Sequence, residues 1–303
     1  MDQLLLVFVT VAEKENFTRA AEELHMTQPA VSQYIQNLEQ TLGTRLLERT
    51  NKYVRLNKAG EIVYHHAKKI LGLYTHMQYL VDDVMNKPSG DLRIGASYTY
   101  GEYILPHIIA HIHEKYPLIR PTSTIANTKE IEELVASHQL DVGIVEGEFK
   151  HEDLYMEPFA EDFMFIIVSA NHRYANQKDV KLSQLREETW IVREVGSGTR
   201  EAVENLFSKF EFHPHNIMEF GSTQIIKESV EAGLGITLLS YWAIRKELSL
   251  GTLKILKLNG TPFSRKFFLI TQATQFKTKA TEIFLDILRK NEILSTLNSV
   301  LPK

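Results

Sequence analysis

The N-terminal segment alternates apolar and polar positions with the period of short α-helices. A first helix is predicted from apolar residues that share one face, namely Leu5, Phe8, Val9 and Ala12. Asn16-Phe17 interrupts that pattern, and Thr18 is placed to cap a second helix. The inward positions of this second helix are Ala20, Ala21 and Leu24.

A third helix is predicted after a turn at His25-Met26. Thr27 is placed to cap it, Pro29 stands in its first turn, where proline breaks no intrahelical hydrogen bond, and Gly43 is expected to end it. Its inward face is formed by Val31, Ile35, Leu38 and Leu42. Because residues 49–56 then predict two short strands around a turn, the whole segment is expected to be a winged helix-turn-helix.

A long amphipathic pattern follows the wing. Its apolar residues recur at alternating steps of four and three, at Val63, Ala67, Ile70, Tyr74, Met77, Val81 and Val84. This spacing is the a/d repeat of a coiled coil. Residues 59–86 therefore predict a dimerising linker helix, although a core helix of one domain would show the same stripe. Residues 86–90, with the sequence NKPSG, predict a hinge after it.

Strands and helices alternate in the rest of the chain. Strands are predicted at 91–96, 121–126, 142–145, 165–168, 190–192, 236–239 and 267–270, and helices at 103–116, 128–137, 200–210, 223–232 and 279–289. Such alternation is typical of mostly parallel sheets with helices on both faces. The stretch is long enough for two such sheets around a cleft.

Composition narrows the class of protein. Hydrophobic residues make up 44% of the chain and charged residues 24%, as expected of a folded globular protein. No apolar run reaches the roughly 18 residues that span a bilayer, and the N-terminus has neither a basic segment nor a cleavage site. We therefore expect a cytoplasmic protein that makes no contact with a membrane. The chain has no cysteine, which excludes disulfides and thiolate chemistry.

The formal net charge of −4 is unevenly distributed. Residues 1–40 carry two basic and six acidic side chains. Residues 41–60 carry only Glu48 against five basic side chains, which are Arg45, Arg49, Lys52, Arg55 and Lys58. A phosphate-binding surface is therefore expected in the second stretch, with a merely solvated face as the alternative. The third helix is nearly uncharged, and its outward glutamines suit adenine edges, although they would also solvate a small helical domain.

A set of motifs in the first sixty residues has a specific combined spacing. The motifs are Phe17-Thr18-x-Ala20-Ala21, Thr27-Gln28-Pro29-Ala30-Val31-Ser32, Leu46-Leu47-x-Arg49 and Leu56-x-x-Ala59-Gly60. They resemble the DNA-binding domain of LysR-type transcriptional regulators. Gly95-Ala96-Ser97, Asp141-Val142-Gly143-Ile144 and Gly233-Leu234-Gly235-Ile236 extend the resemblance along the whole chain.

The resemblance implies a multidomain fold. Residues 1–58 would form an all-α winged helix-turn-helix, and 59–90 a long linker helix and hinge. Residues 91–303 would form an α/β, two-lobed, periplasmic-binding-protein-like effector domain. Its lobe I would comprise about 91–161 and 267–303, and its lobe II about 162–266.

The resemblance also implies a mechanism and partners. Such proteins form homodimers and homotetramers, bind imperfect palindromes in promoter DNA, and have RNA polymerase as a further partner to consider. A small molecule bound between the lobes alters transcription because it prefers one lobe arrangement over the other. The chain would then be a regulator and no enzyme.

Site residues carry over by position. The implied DNA contacts are Thr18, Arg19, Gln28, Pro29, Ser32, Gln33, Gln36, Arg49, Lys52 and Arg55. Many relatives have a basic residue where Gln36 stands, which shifts the expected phosphate binding toward Thr18, Arg19, Arg49, Lys52 and Arg55. The implied effector contacts follow the first two strands of the effector domain, at Ser97, Thr99, Asn127 and Thr128. Both loops enter helices, whose N-termini suit an anion.

A glycine-rich turn adds a third loop to this predicted cleft. Its residues are Gly196, Ser197, Gly198, Thr199 and Arg200. Such a turn at the start of a helix suits a carboxylate, sulfate or phosphate, with a purely structural strand-to-helix turn as the alternative. The turn resembles the branch of the family that regulates sulfur assimilation and carbon dioxide fixation, which indicates an anionic metabolite.

Other chemistries have weaker support. His107, His111 and His113 lack a supporting carboxylate motif, so no metal is expected, and Gly196-x-Gly198 is too short for a dinucleotide fingerprint. Ser197 has no evident His and Asp partners. We therefore expect no cofactor apart from the small-molecule effector. A solute-binding or α/β enzyme domain fused to a DNA-binding module is the alternative to a regulator.

Overall fold

The computed structural model describes residues 2–49, 53–85, 90–147, 151, 153–258, 261–273 and 276–290. They form two compact units. The first comprises residues up to Met85 together with 137–139, and the second comprises the rest of the chain.

The first unit is a winged helix-turn-helix with a long helix after it. Its elements are α1 (Asp2–Lys14), α2 (Phe17–Glu23), α3 (Gln28–Leu42), β1 (Leu47–Arg49), β2 (Val54–Leu56) and α4 (Lys58–Met85). The strands pair antiparallel as the wing. As predicted, Thr27 caps α3 and Gly43 ends it in a left-handed conformation, with φ of 68°.

Two local predictions for this unit are wrong. Asn16, not Thr18, caps α2, because the Asn16 side chain accepts hydrogen bonds from the backbone N–H groups of Thr18 and Arg19. Leu42 is exposed, because it stands at the last residue of α3, past the buried positions Val31, Ile35 and Leu38.

The apolar stripe of α4 divides into two parts. Ala67 is buried in the core of the first unit and Val63 packs against that core. Ile70, Tyr74, Met77 and Val81 are exposed on the same helix. The N-terminal part of the predicted coiled-coil seam therefore belongs to the winged domain itself. The side chain of Val84 and residues 86–89 of the hinge predicted at 86–90 lie outside the described residues, and Gly90 is already the first residue of a strand.

The second unit contains the remaining helices and strands. Its strands are β3 (Gly90–Ser97), β4 (Ile119–Ala126), β5 (Val142–Glu146), β6 (Leu154–Ser169), β7 (Thr189–Arg193), β8 (Asn216–Phe220), β9 (Thr237–Ser240), β10 (Leu253–Ile255) and β11 (Phe263–Gln272). Its helices are α5 (Tyr98–Tyr103), α6 (Leu105–Lys115), α7 (Thr128–Ala136), α8 (Gly198–Lys209), α9 (Thr223–Glu231), α10 (Tyr241–Leu250) and α11 (Lys279–Lys290). The helix predicted at 103–116 corresponds to α6, and the short helix α5 directly before it was not predicted.

The expectation of two mostly parallel sheets holds only in part. Strands β7 and β8 form a parallel sheet of their own, but the larger sheet is mixed. Seven strands form one sheet in the order β10-β6-β11-β5-β3-β4, with β9 also paired to β6. Strand β3 runs parallel to β4 and β5, but β6 and β11 pair antiparallel with each of their neighbours. The sequence pattern did not reveal these antiparallel strands because only residues 164–169 of the 16-residue strand β6 are continuously buried.

Strands β6 and β11 connect two hydrophobic cores. One core gathers α6, α11 and the β3–β5 end of the sheet, and the other gathers β7, α8, β9 and the C-terminal half of β6. The predicted lobe boundaries, at 161/162 and 266/267, fall inside these two strands. Asp162 and Arg265 face each other in register there.

Candidate DNA interface and effector site

Helix α3 presents amide side chains on the face opposite its buried residues. Gln28, Gln33 and Gln36 are exposed and Ser32 is half-buried. Gln28 Nε2 donates to Ser32 Oγ at 3.0 Å, and Gln33 Nε2 donates to Asn37 Oδ1 at 2.9 Å. The predicted base-contacting residues therefore share one uncharged surface.

The residues predicted to contact DNA phosphates lie on α2 and on the wing. Thr18 and Arg19 are exposed at the start of α2, while Pro29, predicted as a contact of the recognition helix, is exposed at the start of α3. Arg55 is exposed on β2, with its guanidinium 5.2 Å from the Tyr53 ring. Lys52 lies outside the described residues.

Arg49 is held in place at the base of the wing. Its Nη2 lies 3.2 Å from Glu39 Oε2, and its guanidinium stacks 4.8 Å from the Phe17 ring. Glu39 Oε1 also accepts from the backbone N–H groups of Leu46 and Leu47. Glu39 therefore joins α3 to the wing. The sequence alone did not predict this role.

The polar centre of the second unit is the guanidinium of Arg265 on β11. Its Nε donates to Asp162 Oδ2 at 2.7 Å, and its Nη2 lies 3.3 Å from Glu146 Oε1. Its Nη1 donates to Thr199 Oγ1 at 3.1 Å and its Nη2 to Thr99 Oγ1 at 3.0 Å. One side chain thus contacts the starts of α5 and α8, which belong to the two predicted lobes.

The cluster is almost free of solvent. Asp162 is fully buried, Glu146 is 2% exposed and the Arg265 side chain is 9% exposed. Burial raises the pKa of Asp162 above its ordinary value, and the nearby Arg265 and Ser240 lower it only in part. Ser240 Oγ donates to Asp162 Oδ1 at 2.5 Å.

Two hydroxyls at the start of α5 have no partner in the described part of the chain. They are Ser97 Oγ, in a residue that is 3% exposed, and Tyr100 OH. Burial raises the pKa of Tyr100, so this hydroxyl stays protonated. Since buried hydroxyls normally form hydrogen bonds, Ser97 marks a place where a polar ligand atom would be stabilised.

The second predicted loop is already engaged within the protein. Thr128 Oγ1 donates to the Glu146 carbonyl at 3.0 Å. Two N–H groups at the start of α7, where an anion was expected, donate within the protein: Lys129 N to the Gly196 carbonyl and Glu130 N to the Asn127 side chain.

The glycine-rich turn has a structural function beside any role in binding. A Cβ on Gly198 would lie 2.6 Å from the Glu146 carbonyl oxygen, so only glycine lets α8 begin this close to β5. That approach brings Thr199 to Arg265. Ser197 caps α8 by accepting from Thr199 N.

Arg200 does not join the Arg265 cluster. Its guanidinium donates to Glu204 at 2.6 Å, to Glu219 at 2.8 Å and to the Arg193 carbonyl at 3.0 Å. It lines a separate cavity of about 210 Å³ together with Thr128, Gly196, Ser197 and Gly198. The predicted effector residues are therefore not all brought together. Thr99 and Thr199 contact Arg265, whereas Thr128, Gly196, Ser197, Gly198 and Arg200 line the cavity. Asn127 instead bonds with Glu130, and Ser97 lies two residues before Thr99.

Sequence reasoning missed the three charged residues of the cluster, Arg265, Asp162 and Glu146. A possible signal was that an acidic residue stands close to each of two predicted strands, Glu146 after 142–145 and Asp162 before 165–168. The residues around each of them in the sequence, however, do not distinguish it from a charge on the surface. Among the described residues, no group of three or more His, Asp or Glu side chains is arranged to hold a metal ion. No helix in that same part of the chain is long and apolar enough to cross a membrane.

Comparison with known families decides the identity of the chain. Residues 3–61 match the family described as "Bacterial regulatory helix-turn-helix protein, lysR family", and residues 85–292 match "LysR substrate binding domain". The chain belongs to the LysR family. It is therefore a DNA-binding transcriptional regulator with an effector-binding domain, and the predicted two-lobed fold and non-enzymatic function are confirmed.

Relatives of this LysR-family regulator cover nearly its whole length. It is 37% identical to the HTH-type transcriptional regulator CysL of Bacillus subtilis, over 95% of this chain and 96% of CysL. It is 32% identical to the RuBisCO operon transcriptional regulator of Acidithiobacillus ferrooxidans, over 94% of this chain and 92% of that protein. The predicted similarity to the sulfur and carbon dioxide branches is confirmed.

A solved structure of a regulatory domain also resembles this regulator. The Synechocystis CcmR regulatory domain in complex with 2-PG superposes with a TM-score of 0.62 at 29% identity, covering 67% of this chain and 97% of that domain. Promoter DNA, a small-molecule effector and further copies of the chain are accordingly its partners as a family member.

Proposed function

We propose that this regulator binds a small anionic metabolite between its two lobes and that Ser97, Thr99, Thr199 and Arg265 recognise it. The main support is that the Arg265 guanidinium donates to both Thr99 and Thr199, which belong to different predicted lobes. In addition, Ser97 Oγ is buried without a partner in the described residues. A ligand that exchanges these bonds for its own would favour one lobe arrangement. Its effect on transcription follows from that preference.

The class of ligand rests on two supports. The guanidinium and the hydroxyls are donors, and a charge-assisted hydrogen bond from arginine favours carboxylate, sulfate or phosphate oxygens. The CcmR regulatory domain, which is 29% identical, was solved with 2-PG. We therefore take 2-PG, sulfate and inorganic phosphate as the first compounds to test.

The DNA-binding part would work as a dimer or a tetramer on an imperfect palindrome. Residues 1–58 would read DNA, 59–90 would link the copies, and 91–303 would respond to the effector, with lobe limits near 161/162 and 266/267. The exposed part of the α4 stripe offers an apolar face for a second copy. We place this activity in the cytoplasm, where promoter DNA is accessible.

A DNA-binding assay tests the proposal. The intergenic DNA upstream of the regulator's own gene is titrated at physiological salt, against random DNA of equal length, with and without 2-PG, sulfate or phosphate. Wild-type protein should prefer its own upstream DNA, and one of the anions should change that affinity. Equal affinity for both DNAs would contradict sequence-specific binding there.

Variants locate the effector site. Thr99→Ala should abolish the response to the anion while DNA affinity without anion stays near normal. Thr122→Ala is the matched control, because the same substitution falls on an exposed position of β4. An unchanged response in Thr99→Ala would place the ligand elsewhere.

A further inference from the structure

The charges around Arg265 do not balance. One guanidinium contacts two buried carboxylates, those of Asp162 on β6 and Glu146 on β5. The Glu201 carboxylate on α8 adds to the negative charge near it. The other described contacts of the cluster are hydroxyls. Thr99 of α5 and Thr199 of α8 accept from Arg265, and Ser240, the last residue of β9, donates to Asp162.

Neighbouring charged residues on the same strands do not neutralise this excess of negative charge around Arg265. Lys266 and Glu161 are the next register pair after Arg265 and Asp162. Successive residues of a strand point to opposite faces of the sheet, so this pair lies on the other side. They line a shallow pocket with Pro158, Phe159 and Ala160 instead.

An anion that enters this cluster faces a competition. It competes with Asp162 and Glu146, as well as with Thr99 and Thr199, for the N–H groups of Arg265, and it brings further negative charge into a site with little water. A carboxylate displaced from its guanidinium in such a place is stabilised by protonation.

We infer that the anionic effector replaces the Asp162 carboxylate on Arg265 and that Asp162 takes up a proton from solvent as the anion binds. Effector binding by this regulator is then coupled to uptake of about one proton, and acidity and metabolite act together on the same switch. This inference rests on the proposed function of the cleft.

The surroundings of Asp162 are suited to both protonation states. Ser240 Oγ lies 2.5 Å from Asp162 Oδ1 and now donates to it, while accepting from Trp242 N. When Asp162 is protonated, its new O–H can donate to Ser240 Oγ along the same line. Burial already raises the pKa of Asp162, so this carboxylate gains its proton more readily than an exposed one.

Calorimetry of the full chain measures the proton directly. Sulfate is the probe, because it does not titrate near neutral pH. Titrations in two buffers with different ionisation enthalpies give the number of protons taken up with sulfate. Wild-type protein should take up about one proton, and its Kd should rise by up to about tenfold per pH unit while free Asp162 is ionised.

Two variants with the same acid-to-amide change assign the proton. Asp162→Asn should still bind sulfate but take up close to no proton, and its Kd should lose the pH dependence. Glu146→Gln is the matched control in the same cluster and should keep the uptake. A purely structural role of Asp162 would alter stability without changing the proton count.

Each result decides between the two proposals. Sulfate binding without proton uptake in the wild type overturns the coupling but leaves the effector site intact. Uptake that is lost in Glu146→Gln and kept in Asp162→Asn also overturns it. If neither sulfate, phosphate nor 2-PG binds, the proposed anionic effector fails, and the coupling fails with it. The wild-type measurement remains decisive even if Asp162→Asn does not fold.

Discussion

Arg265 and Asp162 lie opposite each other on β11 and β6, and the guanidinium Nε is 2.7 Å from the carboxylate Oδ2. Both strands pass here from one hydrophobic core to the other. Neither side chain has much access to water, so each charge depends on the other for stabilisation. The pair therefore affects both the stability of the unit and the joint between its lobes.

Removal of the guanidinium should be costly. Arg265→Met leaves two buried carboxylates without their cation, and we expect the free energy of unfolding to fall by about 3–5 kcal/mol in urea denaturation. The double variant Arg265→Met with Asp162→Asn should recover part of that loss. Arg120→Met is the control, because its ion pair with Asp91 is exposed and should contribute at most about 1 kcal/mol. Equal effects of Arg265→Met and Arg120→Met would refute this assignment.

The pH dependence of stability should carry the signature of Asp162. Its folded pKa is raised, so between the unfolded and folded pKa values the native state binds more protons than the unfolded state. Its contribution to stability is therefore present below the unfolded pKa and is lost as pH rises toward the folded pKa. Asp162→Asn removes this loss and should gain stability relative to wild type as pH rises. Parallel urea midpoints for the two proteins across acidic to neutral pH would contradict the raised pKa.

Helix α4 should join two copies of the chain. Met77 is 50% exposed, and Met77→Lys would place a charge in the apolar seam. We expect the mass measured by light scattering to fall to a smaller assembly, and the apparent DNA affinity to fall by about a hundredfold, because linked binding to two half-sites is lost. Gln78→Lys adds the same charge at an exposed polar position next to it and should change neither quantity.

The recognition helix and the wing should respond differently to salt. Arg55→Gln removes a predicted phosphate contact, so DNA affinity should weaken alike for all sequences and the slope of log K against log salt should become shallower by about one. Gln33→Ala should cost about 1–3 kcal/mol at one base position and leave the slope unchanged. If Arg55→Gln changes base preference instead, the wing reads bases as well as backbone.

Much of the first unit could be predicted because its signals are local. Thr27 and Gly43 mark the two ends of α3 through their own backbone and side-chain preferences, and the buried spacing of Val31, Ile35 and Leu38 sets which face is outward. The cap of α2 was misplaced because Asn16 and Thr18 are both good N-cap residues two positions apart. The prediction that a helix follows was correct with either cap.

The second unit shows where local signals end. The glycine-rich turn and α8 were evident in the chain, but the reason for Gly198 is its contact with Glu146 on another element. The antiparallel path of β6 and β11 was missed because half of β6 is only partly buried and shows no apolar pattern. The split of the α4 stripe likewise depends on what packs against Ala67.

The amino-acid sequence by itself determined the family, the winged helix-turn-helix and the order of most elements, because caps, periodicities and turns act over a few residues. Only the tertiary structure placed Asp162 beside Arg265, 103 positions away, and made them a buried pair between two lobes. The burial and the charged partners of a carboxylate are set only when the chain folds and water is excluded from around it. The charge balance that we propose the effector changes is therefore a property of the fold.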